Sequence, residues 1–181
     1  MPTFAALLRG INVGKAKRLP MEALRQLLAD LGYAGVKTLL NSGNAVFHAA
    51  GTSGATHAES IGQAISETLA LEVPVIVKSA QQFDAIVREY PFGPVDSDHS
   101  RHIVAFTQEK HSLSTLRSIE ALVNPPEIFV VGKHAAYLHC ANGILGSKAG
   151  EALLGKFGKA ATTRNWATTL KLHALVTRSD A

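Results

Sequence analysis

One order of apolar segments runs along the chain twice, and a polar, turn-rich stretch, PFGPVDSDHS (residues 91–100), lies between the two runs. TFAALL (3–8) is an unbroken apolar run of strand length. Pro20 suits a first helical position, where its missing N–H costs nothing. Met21, Leu24, Leu28 and Leu31 then share one helical face up to Gly32. VKTLL (36–40) and AVFHA (45–49) predict two strands around the turn NSGN. Thr56 and Glu59 have the spacing of a capping box, opening a helix that carries Ile61, Ile65 and Leu69. VPVIVK (73–78) predicts a strand. Ser79 and Gln82 form a second capping box before the apolar face Phe83, Ile86, Val87 and Tyr90. The order is βαββαβα.

The second run repeats that order with different residues. RHIVAFT (101–107) is a strand, and Leu113, Leu116, Ile119 and Val123 outline a helix stopped at Asn124-Pro125-Pro126. EIFVVG (127–132) and AAYLHCA (135–141) are strands joined at Lys133 and His134. Ser147 can cap a helix carrying Leu153, Leu154 and Phe157, with Gly158 as its stop. A short strand around residues 160–162 leads to a last helix, Asn165 to Val176. Such a unit is the split βαβ, or ferredoxin-like, plan, with helices on one face of an antiparallel sheet. The expected fold is therefore α+β, with tandem βαββαβα subdomains at residues 1–92 and 101–181 and a linker at 93–100. That linker is the expected first site of proteolysis.

Apolar residues make up 46% of the 181 and charged residues 18%, enough for a packed core and incompatible with wholesale disorder. No apolar run approaches the ~20 residues of a bilayer span. MPTFAALLRG lacks the basic start of a secretory signal. A lone cysteine, Cys140, cannot form an internal disulfide and suits a reducing compartment, so a cytoplasmic protein is expected. Charge is unevenly spread. Residues 1–18 and 148–178 together carry nine net positive charges, and the rest of the chain five net negative ones. If these segments meet, they make one basic face suited to anionic partners.

LLRGINVGKAKRLP (7–20) looks at first like a phosphate loop. A Walker A loop needs G-x-x-x-x-G-K-[ST], but only three residues separate Gly10 from Gly14, and Ala16 stands where the hydroxyl belongs. Gly150 to Lys156 has the right spacing but continues to Phe157 and lies in an amphipathic helical pattern. A weaker anion-binding character remains in Arg9, Asn12, Lys15 and Lys17 around two glycines. NSGN (41–44) adds Ser42 and Asn44. ATTRNW (161–166) places Arg164 and Asn165 in the first turn of the last helix if Thr163 caps it. There a cation opposes the helix dipole, and a bound anion would reverse the penalty. The three segments are expected to converge on a phosphate-bearing ligand, a nucleotide or nucleic acid, and Arg164→Ala to leave the unliganded protein equally or more stable. A transferase or hydrolase using Ser42 or Thr163, or a self-association module, are the alternatives. No cofactor is expected. DSDHSRH (96–102) lacks the helical spacing of zinc motifs, so no metal is expected either.

LLRGINVGKAKRLPMEALRQLLADLGY, LNSGNAVF and TTRNWATTLKL, taken in order and spacing, resemble a widespread bacterial family of uncharacterised proteins, domain of unknown function 1697. The likeness spans residues 4 to about 175. It departs after Gly14, where the family usually has a second glycine and this chain has Lys15. The resemblance implies a duplicated α+β fold and transfers no activity and no catalytic residues.

Overall fold

A computed structural model of the chain describes residues 1–14, 17–95 and 98–178. The first run of elements is β1 (Thr3–Leu8), α1 (Met21–Asp30), β2 (Ala34–Leu39), β3 (Asn44–His48), α2 (Gly54–Leu69), β4 (Val75–Ser79) and α3 (Ala80–Glu89). Its sheet has the order β2-β3-β1-β4, and every neighbouring pair is antiparallel. Phe4, Ala6 and Leu8 of β1 share a face with Ala45 and Phe47 of β3. They pack against Leu24 and Leu28 of α1 and Ile61 and Ile65 of α2. Ala5 and Leu7 point to the opposite face and are also fully buried. That is why TFAALL reads as a continuous apolar run rather than an alternating one. β2 is the exposed edge, and a register irregularity between Ala34 and Lys37 interrupts its ladder.

Helix α2 starts before the Thr56–Glu59 box. Ser53 is its cap, with Oγ accepting from the Thr56 N–H at 3.3 Å. The earlier start carries His57 into the core, edge-on to Phe4 and Phe47 and 2.9 Å from the Tyr33 hydroxyl through Nδ1. The second box forms as expected at the β4–α3 junction. Gln82 N–H donates to Ser79 Oγ at 3.2 Å, and Ser79 N–H donates to Gln82 Oε1 at 3.0 Å. Ser79→Ala removes one acceptor of that reciprocal pair and should cost about 1 kcal/mol of stability in urea denaturation. Gln82→Ala should cost a comparable amount, and the double variant less than the sum.

The second run comprises β5 (His102–Thr107), α4 (Lys110–Thr115), β6 (Ile128–Val131), β7 (Ala136–His139), α5 (Lys148–Leu154), β8 (Ala161–Asn165) and α6 (Trp166–Thr177). The sheet order, β6-β7-β5-β8, repeats the first with antiparallel neighbours throughout. Ile103, Ala105, Ala136, Leu138 and Ala161 face Leu113, Leu116, Ile119, Ala149 and Leu153.

Three elements depart from the sequence reading. The helix expected to run to Val123 is α-helical only to Thr115 and continues as a 3₁₀ turn over Leu116–Leu122. The Ser114, Thr115 and Ser118 hydroxyls donate to carbonyls three residues back, at 2.7, 2.6 and 3.2 Å, and compete with the α ladder. Leu113, Leu116 and Ile119 stay buried because residues three apart also align in a 3₁₀ helix. Helix α5 stops at Gly155, so Phe157 is 58% exposed. Gly158 is required by close approach instead, since a Cβ there would lie 1.8 Å from the Leu153 carbonyl oxygen. Strand β8 runs to Asn165 and takes Thr163 and Arg164 out of the last helix.

The chain forms two compact units, Met1–Phe83 with the residues from Leu172 onward, and Asp84–Lys171. The division falls inside α3 and α6, not at residues 93–100. In the first unit Phe83 stacks on His173 with centroids 6.5 Å apart. In the second the Ile86 carbonyl accepts from the Tyr137 hydroxyl at 2.7 Å, and Tyr90 stacks on Trp166 at 3.9 Å.

Candidate functional site

The loop after β1 is tied at both sides of its root. Leu8 N–H donates to the Gly43 carbonyl at 2.8 Å, and Arg9 N–H to the Pro74 carbonyl at 3.0 Å. Asn12, at φ 55°, then draws the loop together. Its Oδ1 accepts from Leu19 N–H at 2.9 Å, and its Nδ2 donates to the Leu19 carbonyl at 2.8 Å and the Asn41 carbonyl at 2.7 Å. Residues 9–14 and 41–44 thus meet, as expected. The chemistry of the meeting differs, because the Asn12 amide is spent on holding the loop to the hairpin.

The hairpin is built in the same way. Asn44 is fully buried, and its Nδ2 donates to the Leu39 carbonyl and to Ser42 Oγ, both at 2.9 Å. Gly43 sits at φ 90°, where a Cβ would lie 2.7 Å from the Leu8 Cβ and 2.8 Å from Ile11 Cδ1. The donors of NSGN largely close their own turn. Among the loop cations, the Lys17 ammonium donates to the Glu72 carbonyl and Arg18 to the Gly14 carbonyl at 2.9 Å. Burial lowers the Arg9 pKa below the ordinary guanidinium value. Lys15 lies outside the described residues.

Helix α1 rises from this loop without a cap. Pro20 holds the N-cap position in an extended conformation and offers no side-chain acceptor. The amides of the first turn therefore lack the usual Ser, Thr, Asp or Asn partner. Glu22, the acid of that turn, pairs with Arg25. A hollow of about 290 Å³ opens at this point, lined by Asn12, Arg18, Leu19, Pro20 and Asn41. It brings the Arg18 guanidinium together with Pro20, the residue that precedes the uncapped first turn of α1. Arg18 was the residue to single out, and the sequence signal was a helix start bearing proline with no capping side chain beside it. A second hollow, about 260 Å³ between α1 and α2, is lined mainly by alanine and leucine and offers no comparable chemistry.

Arg164 and Asn165 belong to the second unit and have defined structural partners there. Arg164 is 8% exposed, lies opposite Val104 in the sheet, and donates to Thr162 Oγ1 at 2.9 Å and the Thr163 carbonyl at 2.7 Å. Burial pushes its pKa down to about 10, which leaves it charged at neutral pH. Standing in a strand, Arg164 does not oppose the dipole of α6. Asn165, not Thr163, caps α6, its Oδ1 accepting from Thr168 N–H at 2.9 Å. Asp98 is turned to Ser100 and Arg101, and among the described residues no group of three or more His, Cys, Asp or Glu is arranged to hold a metal ion. Nor is any described helix long and apolar enough to cross a membrane.

A family profile described as "Protein of unknown function (DUF1697)" matches residues 1–137. The conserved bacterial protein SP0830 from Streptococcus pneumoniae has a solved structure similar to this one, with a TM-score of 0.82 and 24% sequence identity. The alignment covers 97% of this chain and 99% of that one. At that identity the likeness speaks to the fold, and it extends through both βαββαβα runs. No curated protein matches the chain.

Proposed function

The chain belongs to DUF1697, a family of proteins of unknown function, and from its own geometry we propose that it binds a small phosphate-bearing ligand such as a nucleotide. The observation that carries this reading is the hollow at the uncapped start of α1, with Arg18 on its wall. The first turn of α1 begins directly after Pro20 on that wall, and the free amides and dipole of a helix N-terminus favour negative charge. A guanidinium supplies planar, bidentate recognition of phosphate. Asn12, Asn41 and Asn44 give the site rigidity, a role different from direct contact. A volume of about 290 Å³ suits a phosphate group with part of its carrier better than a nucleic-acid backbone, which would track an extended groove. We place the protein in the cytoplasm, a setting that suits its single buried thiol, Cys140.

Calorimetric titration with a nucleoside triphosphate at low salt tests the reading. Arg18→Ala should weaken binding roughly 10- to 100-fold, corresponding to a charge-assisted hydrogen-bond contribution of about 1.5–3 kcal/mol. Affinity unchanged by Arg18→Ala would overturn it. Tight binding of an oligonucleotide with a steep salt dependence, about −0.9 or −0.7 in the log–log slope per phosphate neutralised, would favour a nucleic-acid partner instead.

A further inference from the structure

We infer that the stacked pair His102–His139, together with Tyr90, is an acid-released latch that fastens the chain leaving α3 to the face of the second sheet. His102 of β5 and His139 of β7 are direct register partners, with ring centroids 4.5 Å apart and planes at 20°. The Tyr90 hydroxyl meets His102 Nδ1. The Tyr90 ring stacks on Trp166 at 3.9 Å and stands edge-on to Tyr137 at 5.9 Å. Phe92 closes the cluster, 5.4 Å from Tyr90, 6.2 Å from His102 and 6.1 Å from His139. One imidazole nitrogen thus fixes the ring that covers the only tryptophan.

The proton on His102 decides whether this arrangement holds. Burial pushes the Tyr90 pKa up to about 12, so Tyr90 is the donor at all ordinary pH values and Nδ1 must be bare to accept. Protonation turns that acceptor into a donor and places a cation 4.5 Å from the His139 ring. The surroundings give the cation little support. His99 adds a further imidazole, and Arg101, beside His102, is paired with Asp98. From α3, Glu89 is bound to the His134 N–H at 3.0 Å and to its imidazole. From β8, Arg164 lies on the same sheet face, opposite Val104. Asp98 favours the charged ring, but burial first, then His139 and His99, act against it, and the His102 pKa is lowered. A histidine with a folded pKa below its unfolded one contributes stability that is full above about pH 6.5. That stability is lost as pH falls through lower values.

Trp166 emission reports the latch directly. From about pH 8 to about pH 5 the wild-type signal should change in one step centred below the ordinary histidine value of about 6.5. His102→Gln should abolish the step, and His139→Gln should move it to higher pH by removing the like-charged neighbour. A wild-type signal flat over this range, or a step that survives His102→Gln, would overturn the latch. Should the His102 variant fail to fold, NMR titration of the wild type decides. The His102 ring and the Trp166 indole must titrate together, and separate midpoints would overturn the inference equally.

Discussion

Gly43→Ala is expected to destabilise the protein by about 2–5 kcal/mol. Two costs combine at this position. The residue sits at φ 90°, where an L side chain adds about 1–2 kcal/mol of backbone strain. Its Cβ would also meet the Leu8 Cβ at 2.7 Å and Ile11 Cδ1 at 2.8 Å. Leu8 and Ile11 are essentially fully buried, so neither can swing aside, and forcing extra volume against them costs about 1–3 kcal/mol. Gly51→Ala is the control. Gly51 has φ 82° but open space around its missing Cβ, so it should show the strain without the clash. Denaturant midpoints separate the two costs. Equal losses for both variants would mean that the contact between the hairpin and the β1 loop is slack, and the candidate site would lose its rigid floor.

Arg164→Ala should cost about 2–4 kcal/mol in the unliganded protein, reversing the sign that the sequence suggested. The substitution leaves Thr162 Oγ1 and the Thr163 carbonyl without their donor and empties the volume of a long side chain that is 8% exposed. Arg164→Met should cost less, because it fills most of that space and removes the desolvated charge along with the hydrogen bonds. Unchanged or raised stability of Arg164→Ala in denaturant unfolding would show the guanidinium to be a surplus cation after all.

Much of the fold was legible because it depends on local patterning. The Ser79–Gln82 box, the Ser147 cap and the alternation or continuity of apolar strands are written in neighbouring residues, and they sufficed for βαββαβα twice. Errors arose where side-chain hydroxyls competed with the backbone, as at Ser114 and Thr115, or where one residue's role depended on a distant element. TTRNW could be read as a helix start because its threonines can cap. Pairing of Arg164 with Val104, sixty residues away, makes it a strand instead. The candidate site was half legible for the same reason. The basic loop and NSGN stand out in the sequence, and they meet in the fold. That the Asn12 and Asn44 amides would be consumed by carbonyls at Leu19, Asn41 and Leu39 depends on long-range geometry. The open start of α1 is visible in Pro20, because a residue that favours a helix start also brings no capping side chain.

Phosphate recognition at α1 is tested most directly by backbone-amide NMR during titration with inorganic pyrophosphate. The Met21, Glu22 and Ala23 amides and the Arg18 side chain should shift together and saturably, and Arg18→Ala should weaken the response at all of them. Shifts confined to the lysines of the second unit, Lys148, Lys156 and Lys159, or none at the α1 N-terminus, would contradict the assignment of this hollow as a phosphate site.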